Sequence, residues 1–344
     1  MEKKKQVTIK DLAKTAGVSI STASRVINNR QYVSKETREK VESAIAKLNF
    51  QPNQFARGLR GICSNLIALI IPDILNVYYT TLSKEIEEQL HEKGYTMLLG
   101  ITHDQSVLMQ EYLEKLSKIN VDGLIYVPPP SKETSPYIRS LASTGLPIIE
   151  INRRREKDLF FGVEPDNFGA VTQAMEHLYE LGHRNIAFIV GSPETTTGSQ
   201  RLEGYKYAVN KFGLDLVPEL IKIGEFSREF AEKATREILA YNGPNKPTAI
   251  FATSNRLLMG TMSVLKEFEV KIPDDISVIA MDDAEWLEEF KPSITTVDVA
   301  VDQMAALTVD LLLARIKSEG KFESPRTYTL STTLKERHSC QKIG

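Results

Sequence analysis

The chain has 344 residues, enough for two or three domains with a sizeable core, and its formal net charge of -2 points to no particular partner. That charge is unevenly distributed, because residues 1–62 hold 13 Lys or Arg against 5 Asp or Glu, whereas the remaining residues hold 30 against 40. The net charges of the two parts are therefore +8 and -10. A basic segment joined to an acidic body predicts a polyanion-binding module attached to another kind of domain.

The cysteines and the apolar runs exclude several classes of protein. Cys63 and Cys340 lie far apart, form no disulfide framework and show no metal-ligand spacing, which fits a reducing cytoplasm. The longest apolar run, LIALII, is far too short to span a bilayer, and no signal peptide precedes the basic start. We therefore expect a soluble, cytoplasmic protein without a membrane partner.

The stretch VTIKDLAKTAGVSISTASRVINN near the N-terminus predicts two short helices. Apolar residues recur at helical spacing from Ile9 to Ala16, and Gly17 breaks that pattern. Ser19 is a good N-cap for a second helix, which ends at Ile27. Two short helices joined by a turn that contains glycine form a helix-turn-helix.

The second of these helices has a polar outer surface. It buries Ala23, Val26 and Ile27, so its other side chains fall mostly on the remaining faces. A solvated surface explains any one of those side chains, but the positive charge of the neighbouring sequence favours a nucleic-acid-binding face for the group. The members of that group are Ile20, Ser21, Thr22, Ser24 and Arg25.

A third helix and a linker complete the basic segment. Ser34 caps a helix whose apolar stripe runs from Val41 to Leu48, and three helices of this length can share one small core. The next segment, FQPNQFARGLRG, has only a marginal helical tendency because it contains one proline and two glycines. The predicted domains are an all-α headpiece at residues 1–50, a hinge helix or linker at 51–62 and a core at 63–344.

From Asn65 onward, short apolar runs alternate with amphipathic helical stretches. Strands that are apolar throughout, with helices between them, indicate parallel sheets covered on both faces. We therefore predict an α/β core of two doubly wound lobes, residues 65–160 plus 291–325 and residues 161–290 plus 326–340, with a last strand near 328–334. The other predicted strands are Leu66–Ile71, Thr96–Gly100, Gly123–Val127, Pro147–Ile151, Asn185–Val190, Ala249–Thr253 and Ser277–Ala280.

Polar and aromatic side chains follow five of these runs, where a binding site is expected. In open parallel sheets, ligands bind beyond the carboxyl ends of the strands. Aromatic faces with Asp, Asn and Arg side chains match a polyhydroxylated small molecule, because rings pack against it and polar groups bind its hydroxyls. Strand ends are polar in many proteins, so a structural role stays open for each single residue. The candidates are Asp73, Asn76, Tyr78, Tyr79, Asn152, Arg153, Arg201, Ser254, Asn255, Arg256, Asp282, Asp283 and Trp286.

Sequence patterns of common enzymes are missing. No G-x-G-x-x-G follows any predicted strand, and no G-x-S-x-G occurs. The segment GSPETTTGS has the wrong spacing for a phosphate-binding loop and lacks its lysine, and the five histidines show no paired metal spacing. We therefore expect no enzyme activity, no cofactor and no metal site.

Several segments together closely resemble the LacI/GalR family of transcriptional repressors. The N-terminal stretch quoted above, VSKETREKV and NFQPNQFARGL resemble its DNA-binding module. The similarity continues through LIALIIPDILNVYYTTL, LGHRNIAFIVG, PTAIFATSN and IPDDISVIAMDD to PSITTVDV, so it covers essentially the whole chain. The resemblance implies a headpiece, a hinge and a two-lobed core like that of periplasmic sugar-binding proteins. It also implies a homodimer whose affinity for a palindromic, double-stranded operator is set by an effector in the cleft.

The resemblance also assigns DNA contacts to positions of this chain. The residues expected at base edges in the major groove are Ile20, Ser21 and Arg25. Those expected mainly at phosphates are Ser19, Thr22, Ser24 and Asn28. Those expected in the hinge at the minor groove are Ala56, Arg57 and Leu59.

In the core, Arg201 and Asp282 match the family's usual effector ligands. The Asp that is usual in the family's "SD" motif is Asn255 here, which removes a charge from the edge of the pocket. The chain also ends soon after LKERHSC, without the leucine-rich extension of tetrameric members, which favours a dimer. The other residues expected at the effector are Asp73, Tyr79, Arg153, Asn255 and Trp286.

We therefore predict an effector-controlled, sequence-specific regulator that represses carbohydrate utilisation genes. A sugar-binding transport component is an alternative, but it would need a signal peptide and has no use for a basic headpiece. A sugar-processing enzyme is another, but it would need a nucleophile or an acid–base pair that the sequence does not offer. Arg153, Arg201 and Arg256 favour an anionic effector, although arginine also serves neutral sugars, so a sugar and a sugar acid both stay open.

Overall fold

The computed structural model describes residues 8–27, 33–48, 64–318 and 324–343. The chain divides into two units, Met1–Ser64 and Asn65–Gly344. Within the described residues, the first unit is all-α and the second consists of two α/β lobes. The predicted fold class is thus confirmed. The hinge predicted at 51–62 and Cys63 lie outside the described residues.

Three short helices form the described part of the headpiece, and local hydrogen bonds set where the first one begins. The Thr8 hydroxyl accepts from the Asp11 N–H at 3.3 Å, while the Asp11 carboxylate accepts from the Thr8 N–H at 2.9 Å, a reciprocal capping box. Gly17 ends this helix with φ at 68°, a conformation that favours glycine. The helices are α1 (Ile9–Ala16), α2 (Ile20–Ile27) and α3 (Lys35–Leu48).

All three helices contribute to one headpiece core. Leu12 of α1, Ala23 of α2 and Val41 of α3 are fully buried against one another's helices. The apolar positions that sequence periodicity assigns to the inner faces are therefore the ones that pack together. Burial of α2 on one side leaves its opposite side available to solvent.

The first lobe contains a parallel sheet of six strands in the order β11-β5-β4-β3-β1-β2. Apart from the buried Glu150 and Glu164, its central strands are apolar on both faces, as is typical of strands covered by helices on each side. The strands are β1 (Leu66–Ile71), β2 (Thr96–Ile101), β3 (Gly123–Tyr126), β4 (Ile148–Ile151), β5 (Phe161–Pro165) and β11 (Thr327–Leu330).

The second lobe contains another sheet of six strands in the order β12-β10-β9-β8-β6-β7. All neighbours in it are parallel except β10 and β12, which are antiparallel. The strands are β6 (Ile186–Gly191), β7 (Ile221–Gly224), β8 (Ala249–Ala252), β9 (Ser277–Met281), β10 (Thr295–Asp298) and β12 (Thr333–Lys335).

Helices cover both faces of each sheet. In the first lobe, α5 and α6 cover one face while α4 and α11 cover the other; in the second lobe, α9 and α10 cover one face while α7 and α8 cover the other. None of the described helices combines the length and the apolar character needed to cross a membrane. The helices are α4 (Val77–Glu92), α5 (Ser106–Leu116), α6 (Ser135–Ala142), α7 (Asn167–Glu180), α8 (Thr196–Phe212), α9 (Arg228–Leu239), α10 (Asn255–Glu267) and α11 (Val301–Lys317).

The chain crosses between the lobes three times, and each crossing lies a few residues later than the sequence predicted. The segment 161–165, assigned to the second lobe, is β5 and pairs with β4 of the first. The segment 295–298, assigned to the first lobe, is β10 and pairs with β9 of the second. The single strand predicted near 328–334 is two strands, one in each sheet, because the chain crosses between them. Each crossing therefore comes after the last strand that pairs in the sheet that the chain is leaving.

A charged cluster ties the last crossing strand to the second lobe. Arg337 donates to both oxygens of Asp283, at 2.7 and 3.2 Å, and Lys335 donates to Asp283 at 2.8 Å. The Thr296 hydroxyl donates to the same carboxylate at 2.6 Å. Burial alone would raise the pKa of Asp283, but these hydrogen bonds outweigh burial and lower it to about 2.

We expect Asp283→Asn to reduce the free energy of unfolding of the core by about 2 kcal/mol at neutral pH. Because the folded pKa lies below the unfolded value of about 4, the stabilisation is present above pH ~4 and is lost as the pH falls towards ~2. Denaturant unfolding of parent and variant at steps between pH 7 and 2 tests this. The two curves should converge in acid, and a difference that stays constant would contradict the assignment.

Candidate functional site

Ten side chains from both lobes enclose a small cleft at the carboxyl ends of the two sheets. Each lobe supplies five of them, so anything bound there would contact both lobes at once. The first lobe contributes Asn76, Tyr78, Tyr79, Asn152 and Arg153. The second lobe contributes Thr197, Arg201, Phe226, Ser254 and Asp282.

Sharp turns after the strands direct these side chains to the cleft. Asn152 and Asp282 each follow a strand with a positive φ, 64° and 69°, which reverses the backbone at the strand end. Asn76 caps α4 by accepting the Tyr78 N–H at 3.1 Å, which fixes the two tyrosines of the first turn. The position of the site thus follows from the ends of the strands.

The two tyrosines form a rigid aromatic wall. Tyr78 and Tyr79 lie edge to face with ring centroids 5.0 Å apart. The Tyr79 hydroxyl accepts a hydrogen bond from the Asn152 amide at 2.8 Å, while the Tyr78 hydroxyl donates to the Met304 sulfur at 3.5 Å. Burial raises the pKa of Tyr79 to about 12, so this phenol stays protonated at physiological pH.

Arg153 is buried and held by a carboxylate of its own lobe. Its Nη1 and Nη2 donate to the two oxygens of Asp104, at 2.6 and 3.1 Å, a bidentate pair. Its guanidinium carbon lies 5.7 Å from the centroid of the Phe226 ring, which belongs to the other lobe. Asp104 therefore fixes Arg153 within the first lobe, while the Arg153 guanidinium also lies near the Phe226 ring of the second lobe.

Arg201 is buried too, and neutral groups hold it more closely than its nearest carboxylate does. Its Nε donates to the Asn167 amide oxygen at 2.8 Å, and its Nη1 donates to the Thr253 carbonyl. The Asp282 carboxylate lies 3.8 Å from Nη2, too far for a hydrogen bond. Burial raises the pKa of Asp282 and lowers the pKa of Arg201. The positive charge of Arg201 and the negative charge of Asp282 each act against the effect of burial on the other residue.

The Phe226 ring closes the cleft between the two arginines. Its centroid lies 5.8 Å from the guanidinium carbon of Arg201 as well as 5.7 Å from that of Arg153, within the range of cation–π attraction. The enclosed volume is about 30 Å³. Pockets that hold small molecules usually measure ~300–1,000 Å³, so the lobes must separate to admit one.

Five predicted or candidate residues do not line the cleft, and one of them, Asp283, instead binds Arg337 and Lys335. Asp73 lies at the rim of the cleft. The Nε of Arg256 is 3.6 Å from the Asp73 carboxylate, and this pair connects the two lobes. Asn255 is buried at the start of α10, and neither polar atom of its amide has a hydrogen-bond partner among the described residues. Trp286, expected beside the effector, instead lines a separate groove of about 890 Å³, because the short 3-10 turn Glu285–Leu287 carries it away from the end of β9.

Sequence reasoning missed two cleft residues. Phe226 follows β7, which was not among the predicted strands. Thr197 lies in the first turn of α8, which follows β6. A signal for Phe226 exists in IKIGEF, where apolar residues alternate with Lys222 as on an edge strand. Thr197 was part of the polar loop TTTGSQR but had no feature that set it apart.

The outer face of α2 carries the residues predicted to contact DNA. Ile20 is 40% exposed, an uncommon position for a large apolar side chain, and Ser21 and Arg25 are exposed beside it. The Ser19 hydroxyl accepts the Thr22 N–H at 3.1 Å, so it caps the helix. Ser24 is half-buried. Four other predicted contacts lie outside the described residues: Asn28, Ala56, Arg57 and Leu59.

Family models match both units of the chain. Residues 8–53 match the model described as "Bacterial regulatory proteins, lacI family". Residues 175–340 match the model described as "Periplasmic binding protein-like domain". The two matches correspond to the headpiece with its helix-turn-helix and to the second half of the core.

Curated relatives match along the whole chain. The chain is 34% identical over 340 residues to the HTH-type transcriptional regulator DegA of Bacillus subtilis, which covers 98% of this chain and 99% of the relative. It is 33% identical over 338 residues to the HTH-type transcriptional repressor PurR of Erwinia tasmaniensis, with 96% of each covered. These relatives are transcription regulators and not enzymes.

Solved structures agree with the fold. A Lac repressor dimer bound to operator and the anti-inducer ONPF superposes with a TM-score of 0.83 over 98% of this chain and 100% of that chain, at 24% identity, a likeness that shows the fold alone. The transcriptional regulator CelR in complex with cellobiose superposes with a TM-score of 0.72 at 28% identity, over 97% of this chain and 100% of that one.

We expect Gly191→Ala to destabilise the core, because a methyl group at Gly191 would overlap the Phe226 ring. Overpacking of this kind costs ~1–3 kcal/mol. In a Phe226→Ala background the same substitution should cost much less, since the obstructing ring is gone. Thermal melting of the parent, both single variants and the double variant measures this coupling, and additive effects would show that the ring is not the obstacle.

Proposed function

Since the chain belongs to the LacI family of DNA-binding transcriptional regulators, we propose that it is a cytoplasmic repressor of carbohydrate utilisation genes controlled by a small sugar or sugar acid. The observation that carries this proposal is the cleft with five side chains from each lobe. Its aromatic wall suits the face of a sugar ring, and its Asn, Arg and Asp side chains suit hydroxyl groups. The cellobiose complex of CelR, a regulator of the same fold, supports a carbohydrate.

A ligand in such a cleft can control DNA binding through the two lobes. Because it touches both lobes, it favours the lobe arrangement in which both sets of contacts are made. The effector then changes operator affinity to the extent that this arrangement and its alternative differ in their affinity for DNA. The residues that we propose to contact the effector are Tyr79, Arg153, Arg201 and Asp282, with Asp73 and Asn255 beside them.

We propose that α2 enters the major groove of the operator. The exposed side chains of Ile20, Ser21 and Arg25 are suited to base edges, and the hydroxyl groups of Ser19, Thr22 and Ser24 are suited to phosphates. Asn28 is assigned to phosphates as well, and Ala56, Arg57 and Leu59 to the hinge in the minor groove. The exposure of the apolar Ile20 supports this assignment, because an apolar side chain can contact a thymine methyl group.

We further propose a homodimer on a palindromic operator. A single helix-turn-helix reads only a short half-site, and two-fold symmetric proteins of this kind bind two half-sites about one helical turn apart. The Lac repressor of similar fold was solved as a dimer bound to operator, which supports the same assembly here. Analytical ultracentrifugation and the symmetry of selected DNA sites test the dimer.

One combined experiment tests the proposed function. The purified full-length protein is used to select binding sites from a pool of random double-stranded DNA. The selected site is then used in gel shifts with and without a panel of sugars, sugar acids and sugar phosphates. We expect a palindromic consensus and at least one panel member that changes its binding. Recovery of no consensus would refute sequence-specific regulation.

We expect Arg25→Ala to weaken operator binding and to relax the preference at one base pair in each half-site. A bidentate contact from arginine to guanine is worth roughly 1–3 kcal/mol of discrimination. Lys14→Ala, which removes a positive charge from an exposed position of α1, is the matched control and should lower affinity equally for all sequences. Repetition of the selection with each variant measures this, and an unchanged consensus for Arg25→Ala would assign that residue to a phosphate.

We expect Asp282→Asn and Arg201→Ala to abolish the response to the effector while operator binding persists. Asp282→Asn keeps the shape of the side chain but replaces the carboxylate, which would accept hydrogen bonds from the ligand, with an uncharged amide. Asp283→Asn is the matched control, because this adjacent carboxylate binds Arg337 and does not line the cleft. The control should lose stability and keep its response. Calorimetry with the effector found in the panel decides between these outcomes.

A further inference from the structure

The buried wall of the cleft contains more positive than negative charge. Of the ten lining residues, Arg153 and Arg201 are cationic and Asp282 is anionic, and all three are at least nine-tenths buried. Buried charges are costly unless they are paired. Asp282 lies near Arg201 and both belong to the second lobe, so the wall of the first lobe retains the charge of Arg153.

Asp104 neutralises that charge from outside the wall. Its side chain is 32% exposed, whereas that of Arg153 is 4% exposed, and Asp104 does not line the cleft. It lies on a loop after β2 in which His103 and Asp104 both have positive φ, 51° and 57°. Residues other than glycine adopt the left-handed region at a cost, and His and Asp do so more readily than most. The loop is therefore held in a costly conformation in which its carboxylate reaches the guanidinium.

The arrangement around Arg153 matches that of a bound anion. Asp104 approaches with both oxygens, at 2.6 and 3.1 Å, the geometry by which arginine binds a carboxylate or phosphate. The Nε of Arg153 is buried and has no hydrogen-bond partner among the described residues, so one donor of the guanidinium is left over. The partly exposed Asp104 is easier to displace than a fully buried carboxylate, because water can solvate it once released.

We propose that the effector carries an anionic group, a carboxylate or a phosphate, that binds Arg153 in place of Asp104. This inference rests on the proposed function and adds the chemical class of the ligand. The second lobe, with Arg201 and Asp282 as a neutral pair, binds the uncharged hydroxyl groups. The first lobe supplies the charge that distinguishes a sugar acid or sugar phosphate from the parent sugar. Arg153 is thus the residue that determines specificity.

The first test uses sugars that differ only by an anionic group. The full-length protein is titrated by calorimetry with glucose, glucuronate and glucose 6-phosphate, and with galactose, galacturonate and galactose 6-phosphate. We expect binding by an anionic member and binding at least about tenfold weaker by its neutral parent, the size expected for one hydrogen-bonded charge. The acids and the phosphates form separate arms and identify which anion the cleft prefers.

The second test changes the pair itself. Asp104→Asn leaves Arg153 without its carboxylate and should strengthen binding of the anionic ligand about tenfold, without an effect on the neutral parent. Asp104→Asn combined with Arg153→Gln removes both charges together, which protects the fold, and should weaken anion binding about 10- to 100-fold. Arg139→Gln combined with Glu156→Gln is the matched control, an arginine–carboxylate pair of the first lobe that does not line the cleft and should leave the preference for the anion unchanged.

Each outcome decides for or against the proposal. It is overturned if the neutral sugars bind as tightly as their anionic partners, if no anionic member binds, or if Asp104→Asn weakens binding of acid and neutral sugar alike. If a neutral sugar changes operator binding, the proposal that the effector is anionic is wrong, but the proposed function still holds. Failure of the protein to select a DNA consensus would instead refute the proposed function, independently of the ligand.

Discussion

The cleft depends on the pairing of two buried guanidinium groups, each within its own lobe. A buried cation without a partner costs several kcal/mol, so an arginine that were paired only across the cleft would resist its opening. Arg153 is paired with Asp104 in the first lobe, and Arg201 is held by Asn167, Thr253 and Asp282 in the second. The lobes can therefore move apart without separating either cation from its partners. This division makes a mobile cleft compatible with buried charge.

The contacts that bridge the lobes are weaker than those within them. Asp73 and Arg256 form a partly exposed pair at 3.6 Å, the kind that contributes at most about 1 kcal/mol. The Arg154 N–H donates to the Thr196 hydroxyl at 3.0 Å, a single neutral hydrogen bond of similar value. The Phe226 ring adds cation–π attraction. The stability that these three contacts give to the closed arrangement is thus small enough for the binding energy of a small ligand to match or outweigh it, which is a condition for control by an effector.

Most of the fold could be predicted from the sequence because the central strands are almost entirely apolar runs. The strands that escaped prediction carry polar residues: β5 contains the buried Glu164, β7 is an edge strand with Lys222, and β10 begins with two threonines. Their pairing is decided by neighbours distant in sequence, which local patterns do not report. The same limit applies to the site, since residues directly after apolar strands were found, whereas Phe226 follows a missed strand and Trp286 is turned away by a short 3-10 segment.

The three crossings between the lobes have a consequence for synthesis of the chain on the ribosome. The sheet of the first lobe gains its last strand only at Thr327–Leu330, and α11, which covers one face of that sheet, is complete only at Lys317. The part of the sheet that α11 covers, on β3, β4 and β5, therefore stays uncovered until nearly the whole polypeptide has emerged. Until then, apolar side chains such as Ile125, Ile149 and Val163 stay unshielded on the nascent chain. The headpiece, whose described core lies within residues 9–48, can fold long before synthesis of the two lobes is complete.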